Sequence, residues 1–163
     1  MNSDVNGINA DLVNSGEDRI LRVTGSVRTP LLFSMEDLRA LEVNETVDIS
    51  IQSGIGDPRA HIRISRGVFL EKVIRMAEPR MAEADDLNNM IVVASADDGH
   101  KVIFSWKEIC NTSVGNGVMI LLEKDGQTLD KAQGLCHLMS TQDYFTDSRY
   151  VQGLRNIEVV LAH

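Results

Sequence analysis

The chain has 163 residues, 43% of them apolar, and sets 16 basic against 24 acidic side chains for a formal net charge of −8. That length suits one domain with a real core. A pI near 4.9 argues against nucleic acid and anionic membrane surfaces, which an acidic chain meets with repulsion. Uninterrupted apolar runs such as Val118 to Leu122 fall far short of the roughly 20 residues a bilayer span needs. Direct membrane insertion is therefore not expected.

Residues 1–18 are polar and aperiodic, with neither a basic n-region nor an apolar h-region, and read as a leader before a domain covering 19–163. Arg19 to Val27 alternates as a first strand, and Thr29-Pro30 then supplies a turn. Ser34 with Asp37 has the form of a helix start, and Met35, Leu38 and Leu41 give a short helix one apolar face. Val47, Ile49 and Ile51 alternate as a strand that runs into the loop Ser53-Gly54-Ile55-Gly56-Asp57-Pro58. Beyond it Arg59, His61, Arg63 and Ser65 alternate with Ala60, Ile62 and Ile64, which in a strand gathers the polar groups on one face. A second helix is expected from about Val68, with Leu70, Val73, Ile74 and Ala77 on the core and Pro79 as its stop. Met90 to Ala96 and His100 to Ser105 flank Asp97-Asp98-Gly99 as a hairpin, and Ser105 with Glu108 opens another short helix. Val118 to Glu123, an Asp125-Gly126 turn, Leu135 to Ser140 and Asn156 to Leu161 complete a run of strands. Many strands with few, unevenly spaced helices predict an α+β fold of several small, mostly antiparallel sheets.

Gly54-x-Gly56 lacks the third glycine of a dinucleotide loop, since Arg59 stands there, and no phosphate-loop, zinc-protease or serine-hydrolase motif occurs. Cys110 and Cys136 lack zinc-site spacing, and Cys136 and His137 would point to opposite faces of a strand, so no metal ligand set is expected. Between Arg59 and Arg80 six basic residues face only Glu71 and Glu78, an island of inverted charge. Lys72 and Arg75 read as the solvated face of a helix. Arg59, His61 and Arg63, beside the glycine loop, are the better candidates for an anionic ligand.

The blocks LRVTGSVRTPLLFSMEDLRAL (21–41), ISIQSGIGDPR (49–59), RGVFLEKVI (66–74), VVASADDGHKVIFSWKEI (92–109), EKDGQTL (123–129) and SRYVQGLRNIEV (148–159), taken in order, resemble the sulfite-oxidase-type molybdopterin-binding domain over residues 19–161. The resemblance implies a groove that takes a pterin. It also implies a cysteine ligand for molybdenum in the loop after the strand, where this chain has Gln52-Ser53-Gly54. A serine hydroxyl stays protonated near neutral pH and is a far poorer ligand than a thiolate, which puts oxo-transfer in doubt.

By the same resemblance Arg149, next to Tyr150, would lie over the pterin's phosphate or ring edge. Ser95 and Asp98 match a hairpin block, with Ala96 and Asp97 inserted, and Ser105 and Trp106 match a second block whose indole would stack on the ring or fill the core. Asp143 would pair with the pterin's N–H edge. The expected function is non-catalytic binding of a pterin or molybdopterin-like ligand, as in the branch of the family whose members regulate membrane-bound cyclic-di-GMP enzymes. The alternatives are a molybdenum-cofactor oxidoreductase using Ser53 and a protein-interaction domain with an empty groove. Members of that branch are exported, so the compartment is periplasmic if a signal has been removed and cytoplasmic otherwise.

Overall fold

A computed structural model describes residues 19–52, 58–131 and 134–162; the side chains of Gln52, Pro58 and Arg59 lie outside that description. The leader, Ser53 and Gly54 also lie outside it. Strands dominate the described residues, in an α+β arrangement of two sheets rather than several small ones.

The first sheet has the order β2-β1-β11-β5-β6. Its strands are β1 (Arg19–Gly25), β2 (Leu31–Ser34), β5 (Met90–Ala96), β6 (Lys101–Ser105) and β11 (Leu154–Leu161). β11 fills the middle, parallel to β1 and antiparallel to β5. The second sheet runs β10-β9-β7-β4-β3, from β3 (Asn44–Gln52), β4 (Pro58–Phe69), β7 (Val118–Lys124), β9 (His137–Ser140) and β10 (Val151–Gln152), with β8 (Gln127–Thr128) folded back on β7.

The short helices follow their caps. Ser34 accepts from the Asp37 amide and Asp37 from the Ser34 amide, closing a capping box on α1 (Met35–Arg39). Ser105 and Glu108 repeat the device on α3 (Trp106–Asn111). α2 (Leu70–Ala77) buries Leu70, Val73, Ile74 and Ala77, the predicted face. It begins two residues later than expected because Val68 and Phe69 still pair with Ile120 and Met119 of β7. That pairing is tight at Gly67, where a Cβ would lie 2.2 Å from the Ile120 carbonyl oxygen. β2 was missed in the sequence, being a four-residue strand placed directly before the helix cap.

β7 is buried on both faces. Val118, Ile120 and Leu122 join the main core, which draws on both sheets and α2, while Met119 and Leu121 join a smaller cluster with Ile49, Ile51, Ile62, Met139 and Tyr150. The segment 141–150 lies over this smaller cluster and is tied down by Thr146, whose hydroxyl donates to the Ser50 carbonyl at 2.8 Å. No helix among the described residues is long and apolar enough to cross a membrane.

Candidate functional site

The two halves of the β3–β4 hairpin present opposite faces, which corrects the expected alternation. Ile62 is buried as predicted, but Ser65 is buried and Ile64 is 43% exposed. The kink has two parts. Asp48 adopts a left-handed φ of 53° in β3, and across from it the Arg63 and Ile64 amides both donate to Asp125 Oδ1, at 2.8 and 3.2 Å. Asp125 can reach them because β7 ends at Lys124, so that β4 has no β7 neighbour before Ser65.

The space left beside β4 is a cavity of about 270 Å³. Ile51 and Ile62 line it on the apolar side; His61, Lys124, Asp147 and Tyr150 supply the polar side. Lys124 Nζ donates to the Tyr150 hydroxyl at 3.1 Å and sits 5.8 Å from the ring centroid. An ammonium only donates, so the phenol oxygen accepts from it, and the same hydroxyl shares a hydrogen bond with His137 Nδ1, 2.8 Å away in the buried layer. No described carboxylate lies within ion-pair distance of Lys124. His61, half exposed, is held at Nδ1 by Ser50 Oγ (3.3 Å) and faces Asp48 through Nε2 (3.5 Å). Tyr150 and His61 were predicted site residues, and this cavity brings them together. Two larger cavities each contain ion pairs of their own. One pairs Asp97 with Arg155, and the other pairs Lys72 with Glu42 and Arg75 with Glu71.

Arg149 is placed differently from its expected role over a ligand. Its five N–H donors all meet oxygen within the chain: both Asp143 carboxylate oxygens (2.8 and 2.7 Å), both Glu108 oxygens (2.8 and 3.1 Å) and the Ile103 carbonyl (3.2 Å). The guanidinium also stacks 4.2 Å from the Phe104 ring centroid. Hydrogen bonding to Asp143, opposed by burial and reinforced by Glu108, raises its pKa further. Burial alone would raise the Asp143 carboxyl, but hydrogen bonds from Arg149 and Ser140 and the guanidinium charge outweigh it and hold the group below its ordinary value. The clasp engages all the guanidinium nitrogens and both oxygens of Asp143.

The remaining predicted residues scatter. Ser105 is spent on the α3 cap. Trp106 is 3% exposed in the main core with Arg75 over its ring at 5.4 Å, so the core reading of the indole holds and the stacking one does not. Ser95 lies on β5 opposite Lys101 and Asn156, on the face turned away from the core. Asp98 accepts from the His100 amide in the hairpin turn, lining the Asp97–Arg155 cavity. Arg63 is exposed on β4, while Ser53, Gly54 and the Arg59 side chain lie outside the described residues. Lys124, Asp147, His137 and Glu108 were missed. Only Glu108 had a signal, its place in the capping box.

The cysteines sit away from this cavity. Cys136 is buried in the main core with its thiol on the Leu154 carbonyl, and Cys110 packs against the same core from α3. Among the described residues no three His, Cys, Asp or Glu side chains are grouped to hold a metal ion. With no thiolate at the cavity, its donors do not fit a molybdenum centre.

No family model matches the sequence, and no curated protein does. The fold is similar to that of the sulfane dehydrogenase SoxCD from Paracoccus pantotrophus, with a TM-score of 0.64 at 16% identity. The match takes in 86% of this chain and 37% of that one, so the chain spans well under half the length of its structural neighbour. At that identity the likeness shows the fold alone.

Proposed function

We propose that this chain binds a pterin-type ligand in the cavity beside β4 and does not turn it over, acting as a sensor or regulatory module. The observation that carries the reading is the Lys124 ammonium. It lines a cavity with an apolar floor and forms no ion pair with a described carboxylate, so it keeps N–H donors for a ligand. The cavity adjoins the end of the hairpin whose loop carries Ser53, where the family resemblance calls for a metal-binding thiol. The fold likeness to a sulfite-oxidase-family protein supports the ligand class. The serine, together with the placement of both cysteines, supports the absence of turnover.

The neighbour's name, a dehydrogenase, favours the second reading, a molybdenum-dependent oxidoreductase. Protein made in a host that synthesises molybdopterin separates them. Metal analysis and fluorescence of the oxidised, released ligand are expected to show bound pterin with only trace molybdenum. Stoichiometric molybdenum would establish the oxidoreductase. Protein that neither carries a pterin from the host nor binds added dihydropterin at micromolar levels would leave an interaction domain. A regulatory partner of the kind the resemblance implies, a membrane-bound cyclic-di-GMP enzyme, would then be sought with the loaded protein.

A further inference from the structure

Lys124 and Asp147 line the same small cavity without forming an ion pair, and the Asp147 carboxylate has no hydrogen bond or ion pair with any described residue. Lys124 Nζ keeps N–H donors beyond the one given to Tyr150, and the exposed Asp147 carboxylate keeps its acceptor oxygens, so one donor group and one acceptor group border a common volume. The other charged groups at the wall are already engaged. Asp125 holds the β4 amides through Oδ1, and His61 is held by Ser50 and Asp48.

The balance of charge then selects the ligand. A single ammonium against the Asp125 and Asp147 carboxylates, in a chain of net charge −8, disfavours a phosphate dianion. At about 270 Å³ the space is below the roughly 300–1,000 Å³ that takes drug-sized ligands, and suits one bicyclic ring over the Ile51 and Ile62 floor. A neutral ring that meets both groups at once needs a carbonyl oxygen for the ammonium and adjacent N–H donors for the carboxylate. The run C=O, ring N–H, exocyclic NH2 supplies them.

We infer that Lys124 and Asp147 jointly read the amino-oxo pyrimidine edge of a fused heterocycle, Lys124 donating to the carbonyl oxygen and Asp147 accepting from the ring N–H and amino group. This rests on the proposed pterin-type ligand but makes a narrower statement, because guanine carries the same edge. It also transfers to Asp147 the carboxylate role expected of Asp143, which Arg149 occupies.

The test is calorimetric titration of the full chain with pterin, with lumazine, in which an oxo group replaces the amino group, and with guanine. Pterin is expected to bind about tenfold more tightly than lumazine, the loss of one hydrogen bond to a charged group. Asp147→Asn should abolish that preference, since an amide can donate to the lumazine oxygen, and Lys124→Met should weaken both ligands about tenfold. Equal binding of pterin and lumazine, or an Asp147→Asn protein that keeps the wild-type ratio, overturns the inference and leaves the proposed function standing. Guanine binding without pterin binding does the reverse. If no ring binds, both fall.

Discussion

Arg149 ties separate parts of the molecule together. Its side chain joins the 141–149 segment to α3 and to the edge strand β6, and it is only 21% exposed. Arg149→Ala would leave two carboxylates facing each other across the gap, and is expected to cost about 2 kcal/mol, read as a lower urea midpoint. Arg149→Lys should recover only part, because an ammonium cannot span two carboxylates as a planar fork does. The pH dependence has a definite sign. Asp143 has its pKa lowered by folding, so its contribution is complete above the unfolded carboxyl value of about 3.9 and is lost as pH falls through the folded value. The difference in stability between wild type and Arg149→Ala should therefore shrink below about pH 4. The two thiols should also part company. Burial pushes Cys136 up to about 12, against a smaller opposing effect of Arg155, so a thiol reagent at pH 8 is expected to modify Cys110 first and Cys136 only on unfolding. Equal labelling rates in native protein would contradict this burial.

At the level of the elements, α3 and the Arg149 clasp share a residue. Glu108 closes the capping box through Oε2 and receives Arg149 on both oxygens. Ser105→Ala should cost about 1 kcal/mol as a lost cap. Combined with Arg149→Ala it should cost less than the sum, because the Ser105 hydroxyl caps the amide of Glu108, the residue whose carboxylate receives Arg149; a double-mutant cycle in urea measures the coupling. Both capping boxes, the Asp98-Gly99 hairpin and the buried face of α2 were legible in the sequence because each is decided within a few residues. The kink at Asp48 and Arg63 was not, since the carboxylate that stabilises it, Asp125, lies 62 residues from Arg63. The same reason explains the site. His61 and Tyr150 could be picked from local pattern and resemblance. Lys124 and Asp147, however, read as ordinary surface charges until the end of β7 and the turn before β10 bring them to one cavity. The resemblance assigns Arg149 to a ligand, and its partner Glu108, 41 residues away, cannot be seen from the motif.

For the molecule as a whole, the two sheets divide the work. The first contributes the largest share of the large core, while the second carries the proposed binding cavity on the side of its smaller cluster. Ligand binding on that side is expected to raise the thermal midpoint of the entire domain rather than of one sheet, since β7 belongs to both clusters and couples them. Two separate melting transitions, only one of them moved by ligand, would argue against that coupling. The position of β11 has a further meaning. β1 and β11 lie more than a hundred residues apart in the sequence, yet β11 is the strand that joins β1 to β5. On the ribosome, β1 and its hairpin partner β2 wait with an apolar edge exposed until the residues through β11 have been synthesised. Chaperone dependence during synthesis, and aggregation of chains arrested before Leu154, are the biological price of closing a sheet with its latest strand.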